Sequence, residues 1–239
     1  MSRLLLLLLL LAPAAWAAEP RELTPDQAHL ELVFDEAPDP YEGEMVLATI
    51  RGTYRIQIHL EDLVLRHMAD FDWVRLGQDT WREERIDGRM ARVMERRVAF
   101  FPRRPGRLEI LPIAHKLTYW GGAGERFSTV VRSEAAALEV RPRPVAEDEA
   151  WLPARAIEIS DTWDVEPTEL DENAIAQRRV VMRALGTTPE MMPTQPRLNE
   201  PWLISFSPPE RRSMQLTPEG PVTTLTWVWS LKPVTGEVG

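Results

Sequence analysis

The sequence predicts an all-β protein: two tandem immunoglobulin-like antiparallel β-sandwich domains, the second incomplete at its C-terminus. Three observations carry this. Short runs of alternating apolar and polar residues recur at close spacing, with turn residues between them. Proline is abundant at 21 residues against 12 glycines, a balance that interrupts helices and favours short strands with stiff connections. The two halves of the chain also repeat one pattern of strand and turn.

The chain opens on a separate segment. Met1-Ser2-Arg3 carries one positive charge, Leu4 to Leu11 is an unbroken apolar run, and Ala15-Trp16-Ala17 has the small residues of a cleavage site. This is the three-part layout of a secretory signal peptide. The run is far short of the roughly 20 residues that span a bilayer. Residues 1–17 are therefore expected to be a signal peptide and 18–27 a leader segment, with the mature protein exported.

The first domain is expected over 28–142. Its first clear strand is Met45 to Arg51. Tyr54, Ile56, Ile58 and Leu60 then alternate with Arg55, Gln57 and His59, the period of a half-buried strand. Asp70 to Leu76 reads the same way. Trp81 to Ile86, then Asp87-Gly88, then Arg89 onward forms a hairpin, because Asp-Gly adopts the positive φ angles of a type I′ turn. Arg89 to Arg97 consists mostly of good helix formers, but the turn before it and Phe100-Phe101-Pro102 after it both suit a sheet. Leu108 to Leu111 ends at Pro112, Leu117 to Trp120 ends at Gly121-Gly122, and Ala136 to Val140 closes the set.

Arg141-Pro142-Arg143-Pro144 leads into an acidic stretch without periodicity, which marks a semi-rigid linker over 143–153. The second domain, 154–239, has strands at Ala156 to Ile159, Ala174 to Ala184, Leu203 to Phe206 and Thr223 to Leu231. In the last, Trp227 and Trp229 share a face with Leu225 and Leu231.

Phe100-Phe101-Pro102 through Gly106 is echoed by Trp229-Ser230-Leu231-Lys232-Pro233 through Gly236. Tyr41-Glu42-Gly43-Glu44 stands before its strand as Leu170-Asp171-Glu172-Asn173 does before the next. The first copy runs on for further strands after Gly106, whereas the second stops soon after Gly236. The natural product is accordingly expected to continue past Gly239, or the second sandwich to be completed by another chain.

Composition narrows the function classes. The formal charge is −9, from 28 Lys+Arg against 37 Asp+Glu, which argues against nucleic acid as a partner because its binders need a basic footprint. There is no cysteine, so thiol catalysis and cysteine-ligated metals are excluded and stability comes from burial alone. At 44% hydrophobic residues, the chain can bury a core.

The signal peptide, the Gly43-Glu44 strand start, Phe101-Pro102 through Gly106 to Ile110-Leu111-Pro112, Trp163, the strand from Ala174 to Gly186, Pro189 with Pro193, and Trp229 to Gly236 together resemble the BatD family of bacterial aerotolerance, or oxygen-tolerance, envelope proteins. The similarity spans most of the mature chain and rests on strand and turn residues. It implies tandem β-sandwiches in the periplasm or on the periplasmic face of the inner membrane. The implied role is non-enzymatic, a protein–protein interaction or scaffold module with no cofactor and no catalytic residues. The implied partners are envelope proteins, von Willebrand factor A-type proteins and a MoxR-type ATPase system. The family's C-terminal membrane helix has no counterpart here, so membrane attachment is expected only if the chain continues past Gly239.

Arg82, Arg85, Arg89, Arg92, Arg96 and Arg97, with Arg103, Arg104 and Arg107, form a locally basic region in an acidic chain. It could steer an acidic partner, or guard exposed strands against aggregation. Of nine tryptophans, most suit core packing. Trp120 beside Gly121-Gly122 and Trp202 after Pro201 are expected to be partly exposed. Arg92, Arg96, Arg103, Arg104, Trp120 and Trp202 are thus the candidate interaction surface, and the exposed tryptophans also fit an alternative role, a periplasmic glycan-binding β-sandwich.

Other chemistry is poorly supplied. Asp161, Asp164, Glu166, Glu169, Asp171 and Glu172 could offer oxygens to a hard cation, but they lack the EF-hand spacing and suit a solvated loop. Asp70 and Asp72 could share a strand face as a carboxylate pair. His29, His59, His67 and His115 show no metal-binding spacing, and no serine nucleophile motif or phosphate loop occurs.

Overall fold

In the computed structural model, residues 19–234 are described apart from 21, 37, 123, 147, 167 and 169–173. The expected signal peptide at 1–17, the Leu170 to Asn173 echo and the end beyond Val234 lie outside the described residues. The described residues form sixteen strands and a 3₁₀ turn at Pro189–Met191. The protein is an all-β sandwich built from antiparallel sheets.

The first half contains β1 (Glu19–Pro20), β2 (Ala28–Phe34), β3 (Val46–Tyr54), β4 (Gln57–Val64), β5 (Phe71–Arg75), β6 (Thr80–Ile86), β7 (Arg89–Pro102), β8 (Gly106–Ile110), β9 (Ala114–Trp120), β10 (Arg126–Arg132) and β11 (Ala136–Val140). One sheet has the order β2-β3-β7-β5, with β6 also on β7. Facing it are the sheet β1-β10-β9-β4 and the ribbon β11-β8. Between the layers lies a core that includes Leu30, Ile50, Phe71, Val98, Phe100, Leu108, Leu117 and Leu138.

The second half contains β12 (Ala156–Trp163), β13 (Ala176–Leu185), β14 (Leu203–Phe206), β15 (Arg211–Thr217) and β16 (Gly220–Pro233). Its order is β12-β13-β16-β14, with β15 also on β16. Strand for strand this is the order of the first sheet. The central strands β7 and β16 are each 14 residues long, and each follows a tight hairpin and carries two short strands end to end along one edge. The β6–β7 hairpin turns at Asp87 (φ 51) and Gly88 (φ 75), the left-handed pair that a type I′ turn needs.

The second sheet has a different cover. Val180, Trp229 and Leu231 pack with Leu198 and Leu203, while Ala184, Met192 and Leu225 pack with Leu152 and Ala154. A loop segment thus stands where the first half has a second sheet.

One expected strand divides in two. Tyr54 ends β3, and Arg55 turns the chain by donating its backbone N–H to the Gln27 carbonyl at 2.8 Å. A register shift between Ile58 and Leu60 then leaves Leu60 pointing outward. Tyr54 and Leu60 alternate in sequence but belong to different sheets.

The expected linker is pinned to the first half. Trp151 donates its indole N–H to the Glu42 carbonyl at 2.9 Å and meets Tyr41 edge-on. The Arg141 guanidinium lies 3.8 Å from the Tyr41 ring centre. The halves meet through the second face of β3 and β7, where Met45, Leu47, Ala99 and Phe101 pack with Leu76 and Met191. Met45 reaches over Gly186 and Gly220. Gly220 has φ +131, and a Cβ there would stand 2.5 Å from the Met45 sulfur.

Replacing Gly220 with Ala is expected to cost about 1–3 kcal/mol from the backbone conformation alone, read as a lower midpoint in urea unfolding. Gly122→Ala, where a Cβ meets nothing within 4 Å, should leave the midpoint nearly unchanged.

Candidate interaction surfaces

The structure scatters the six sequence-predicted residues. Arg92 lies on β7 with its guanidinium 4.8 Å from the Trp81 ring centre. Arg96 is a correction to the expected surface, because β7 turns it toward the facing sheet. There it grips Asp79 with two bonds of 2.8 and 2.7 Å and donates to the Leu63 carbonyl at 3.0 Å. Burial pushes the Asp79 carboxyl up, but the Arg96 bonds outweigh it and hold the group below its usual range. Arg103 and Arg104 do stand together, at the turn after β7, where each makes a two-bond pair, with Asp72 and Asp70 respectively.

The arginine-rich strands are therefore not a bare cationic patch. Arg82 pairs with Glu95, Arg51 with Glu84, Arg97 with Asp35, and Arg55 and Arg89 with Asp26. Asp70 and Asp72 are likewise engaged, and the Arg104 bonds hold Asp70 below its usual range. In the acidic run, Asp161 is paired with Arg178 at 2.6 Å and Asp164 accepts the Gln177 backbone N–H. Glu169, Asp171 and Glu172 lie outside the described residues. Among the described residues, no group of three His, Asp or Glu side chains is placed to hold a metal ion.

One polar group missed by the sequence reading lies between the layers of the first half. His115 on β9 is 0% exposed. Its Nδ1 is 2.5 Å from the Tyr54 hydroxyl and its Nε2 is 2.7 Å from Glu61. An ionised Glu61 only accepts, so Nε2 carries the proton and Nδ1 accepts from the Tyr54 O–H. Burial pushes the imidazole below its ordinary 6.5, against the pull of the neighbouring Glu61. Burial also raises the Tyr54 hydroxyl, and the Glu61 charge adds to it. The only signal in the sequence was a histidine at an inward position of an alternating strand, which does not reveal its partners.

Two surfaces remain open. The outer face of β4, β9 and β10 carries Trp120, 37% exposed, with His59 at 5.3 Å and the Arg126 guanidinium at 5.7 Å from its ring. Beside it runs a groove of about 740 Å³ lined by Leu60, Asp62, Lys116, Thr118, Val130 and Arg132, among others.

The second surface is a corner of the C-terminal sheet. Ile204 and Phe206 project from β14 on the face opposite the Trp229 and Leu231 core, and Phe206 is 69% exposed. Trp202 extends that edge by accepting the Val234 backbone N–H at 2.9 Å. Ile175, Trp202 and Val234 are exposed at the same end of the sheet. Trp120 and Trp202 thus serve separate surfaces in different halves.

Because the folded ring of His115 is harder to protonate than the unfolded one, acid favours unfolding. Its contribution to stability is intact above about pH 6.5 and declines as pH falls through the lower folded value. Urea midpoints from about pH 8 down to about pH 5 should drop accordingly. Tyr54→Phe strands the buried Nδ1 and should cost about 1–3 kcal/mol. No family model matches the chain, and no curated protein or solved structure matches it.

Proposed function

We propose that the protein is an exported, non-enzymatic interaction or scaffold module of the bacterial cell envelope, similar to BatD proteins. In this reading the leader directs export and the chain acts in the periplasm or at the periplasmic face of the inner membrane. Envelope proteins, von Willebrand factor A-type proteins first among them, dock on it, and it works beside a MoxR-type ATPase system. The observation that carries the reading is the exposed apolar corner formed by Ile175, Trp202, Ile204, Phe206 and Val234. Exposed apolar side chains grouped at one corner suit a site for another macromolecule, because leaving them in water forfeits the free energy of burial. Aromatic anchors such as Trp202 and Phe206 typically dominate such contacts.

A second reading, glycan binding, is favoured by Trp120 beside the groove of β4, β9 and β10, whose lining includes Asp62, Lys116, Thr118 and Arg132. An exposed indole can stack on a sugar ring while hydroxyls and charged groups around it take the sugar's hydrogen bonds.

A photo-crosslinking residue at position 206, introduced in the native host, separates these. The interaction reading expects discrete crosslinks to envelope proteins, von Willebrand A-type ones among them, that disappear with Trp202→Ser. If no protein is trapped at that corner and purified cell-wall fragments shift the fluorescence of the wild type but not of Trp120→Ala, the glycan reading replaces it.

A further inference from the structure

We infer that the outer edge of β12 is a strand-addition site for a partner polypeptide whose extended segment alternates aliphatic and basic residues. The inference rests on the interaction-module reading and assigns it a second contact, distinct from the Phe206 corner. β12 ends the order of the C-terminal sheet: β13 takes one edge, and no strand among the described residues pairs with the other. Backbone N–H and C=O groups along such an edge form a template for another strand.

Several other edge strands carry devices that block this. β4 has a register shift at Ile58/Leu60 and turns Glu61 inward to His115. β14 is four residues long, between Pro201 and Pro208-Pro209. β6 carries Arg82, Glu83, Glu84 and Arg85, and β15 opens on Arg211 and Arg212. β12 has no Lys, Arg or Pro, and its pairing with β13 runs without a shift. Of its acids, Asp161 is held by Arg178 at 2.6 Å, whereas Glu158, with its side chain 76% exposed, has only a loose contact with Arg183 at 3.8 Å.

The internal repeat shows what the edge lacks. β12 holds the place in its sheet that β2 holds in the first. On the core-facing stripe of β2, Leu30 is 1% exposed beneath the facing layer, which brings β10 against β2. On the corresponding stripe of β12, Ile157 and Ile159 lie opposite Ala184 and Met182 of the core yet are 48% and 60% exposed. The stripe continues the core without a cover.

Charge identifies the occupant. Glu158, Asp164 and Glu166 fall within 156–166, where no Lys or Arg occurs. Glu158 faces away from the two isoleucines, since successive strand residues point to opposite faces. A partner strand with Val or Ile beside Ile157 and Ile159, and Lys or Arg on the Glu158 face, satisfies both sides of the edge.

The test uses the mature protein and labelled synthetic peptides about as long as β12, one alternating Val with Lys and one alternating Val with Glu. Fluorescence anisotropy should show binding of the Val–Lys peptide and none of the Val–Glu peptide. Hydrogen exchange should slow at β12 amides. Ile159→Lys should weaken binding about tenfold or more by setting a charge against the aliphatic side of the peptide, and the milder Ile159→Thr should act in the same direction. Equal binding of both peptides, no binding, or protection on β4 or β14 instead would overturn the inference. So would a peptide-free dimer that Ile159→Lys dissociates, which assigns the edge to a second copy of the chain. Failure at β12 with crosslinks from position 206 intact leaves the interaction module standing. Loss of those crosslinks with β12 binding intact removes the corner instead.

Discussion

Strands β3 and β7 are covered on both faces, and the arrangement of the molecule follows from that. Val46, Ala48, Ile50, Val98 and Phe100 point into the sandwich core, while Met45, Leu47, Ala99 and Phe101 point into the joint with the second half. A slip of one residue would exchange the two sets and place the wrong shapes on both sides, so the register is specified twice. The uninterrupted apolar run Val98-Ala99-Phe100-Phe101 is the composition that two-sided burial demands. Met45 lies over Gly186 and Gly220, where side chains would keep the two halves apart.

The same sheet order occurs twice but is covered in two ways. A second sheet buries the first copy, whereas the segment carrying Met192 and Leu198, with Leu152 and Ala154, buries the second. These two stretches cover the middle of a five-stranded sheet and leave its borders exposed. The aliphatic residues that fill a core in the first half therefore reach solvent at the margins of the second. The exposed stripe of β12 arises from this difference in cover, whereas the Phe206 corner lies on the opposite face of the same sheet.

Electrostatics plays a quieter part. The chain is acidic overall, but many of its arginines are held against Asp and Glu brought in from neighbouring strands and turns. Pairs of this kind at the surface contribute little to stability. Their effect is to neutralise strands that would otherwise carry strong local charge. The interior pairs differ, since Arg96 with Asp79 and His115 with Tyr54 and Glu61 satisfy groups that would be costly to bury alone.

Much of the fold was legible in local pattern. The Asp87-Gly88 hairpin, the strand through Arg89 to Arg97 despite its helix-forming residues, and the exposure of Trp120 and Trp202 could be read because each depends on neighbours in sequence. β2 carries alternation of the same kind in Ala28, Leu30, Leu32 and Phe34, without a turn signal as clear as Asp-Gly to mark its ends. β10 and β15 have too little contrast between their faces to announce themselves. The sequence by itself determined the all-β class, most of the strands and the repeat, because backbone alternation and turn chemistry are local. Only the tertiary structure decided that Arg96 turns inward, that Tyr54 and Leu60 part company, and that Ile157 and Ile159 lack a cover. Those outcomes depend on which distant strand comes to lie opposite, and a residue's own neighbours in sequence do not encode that.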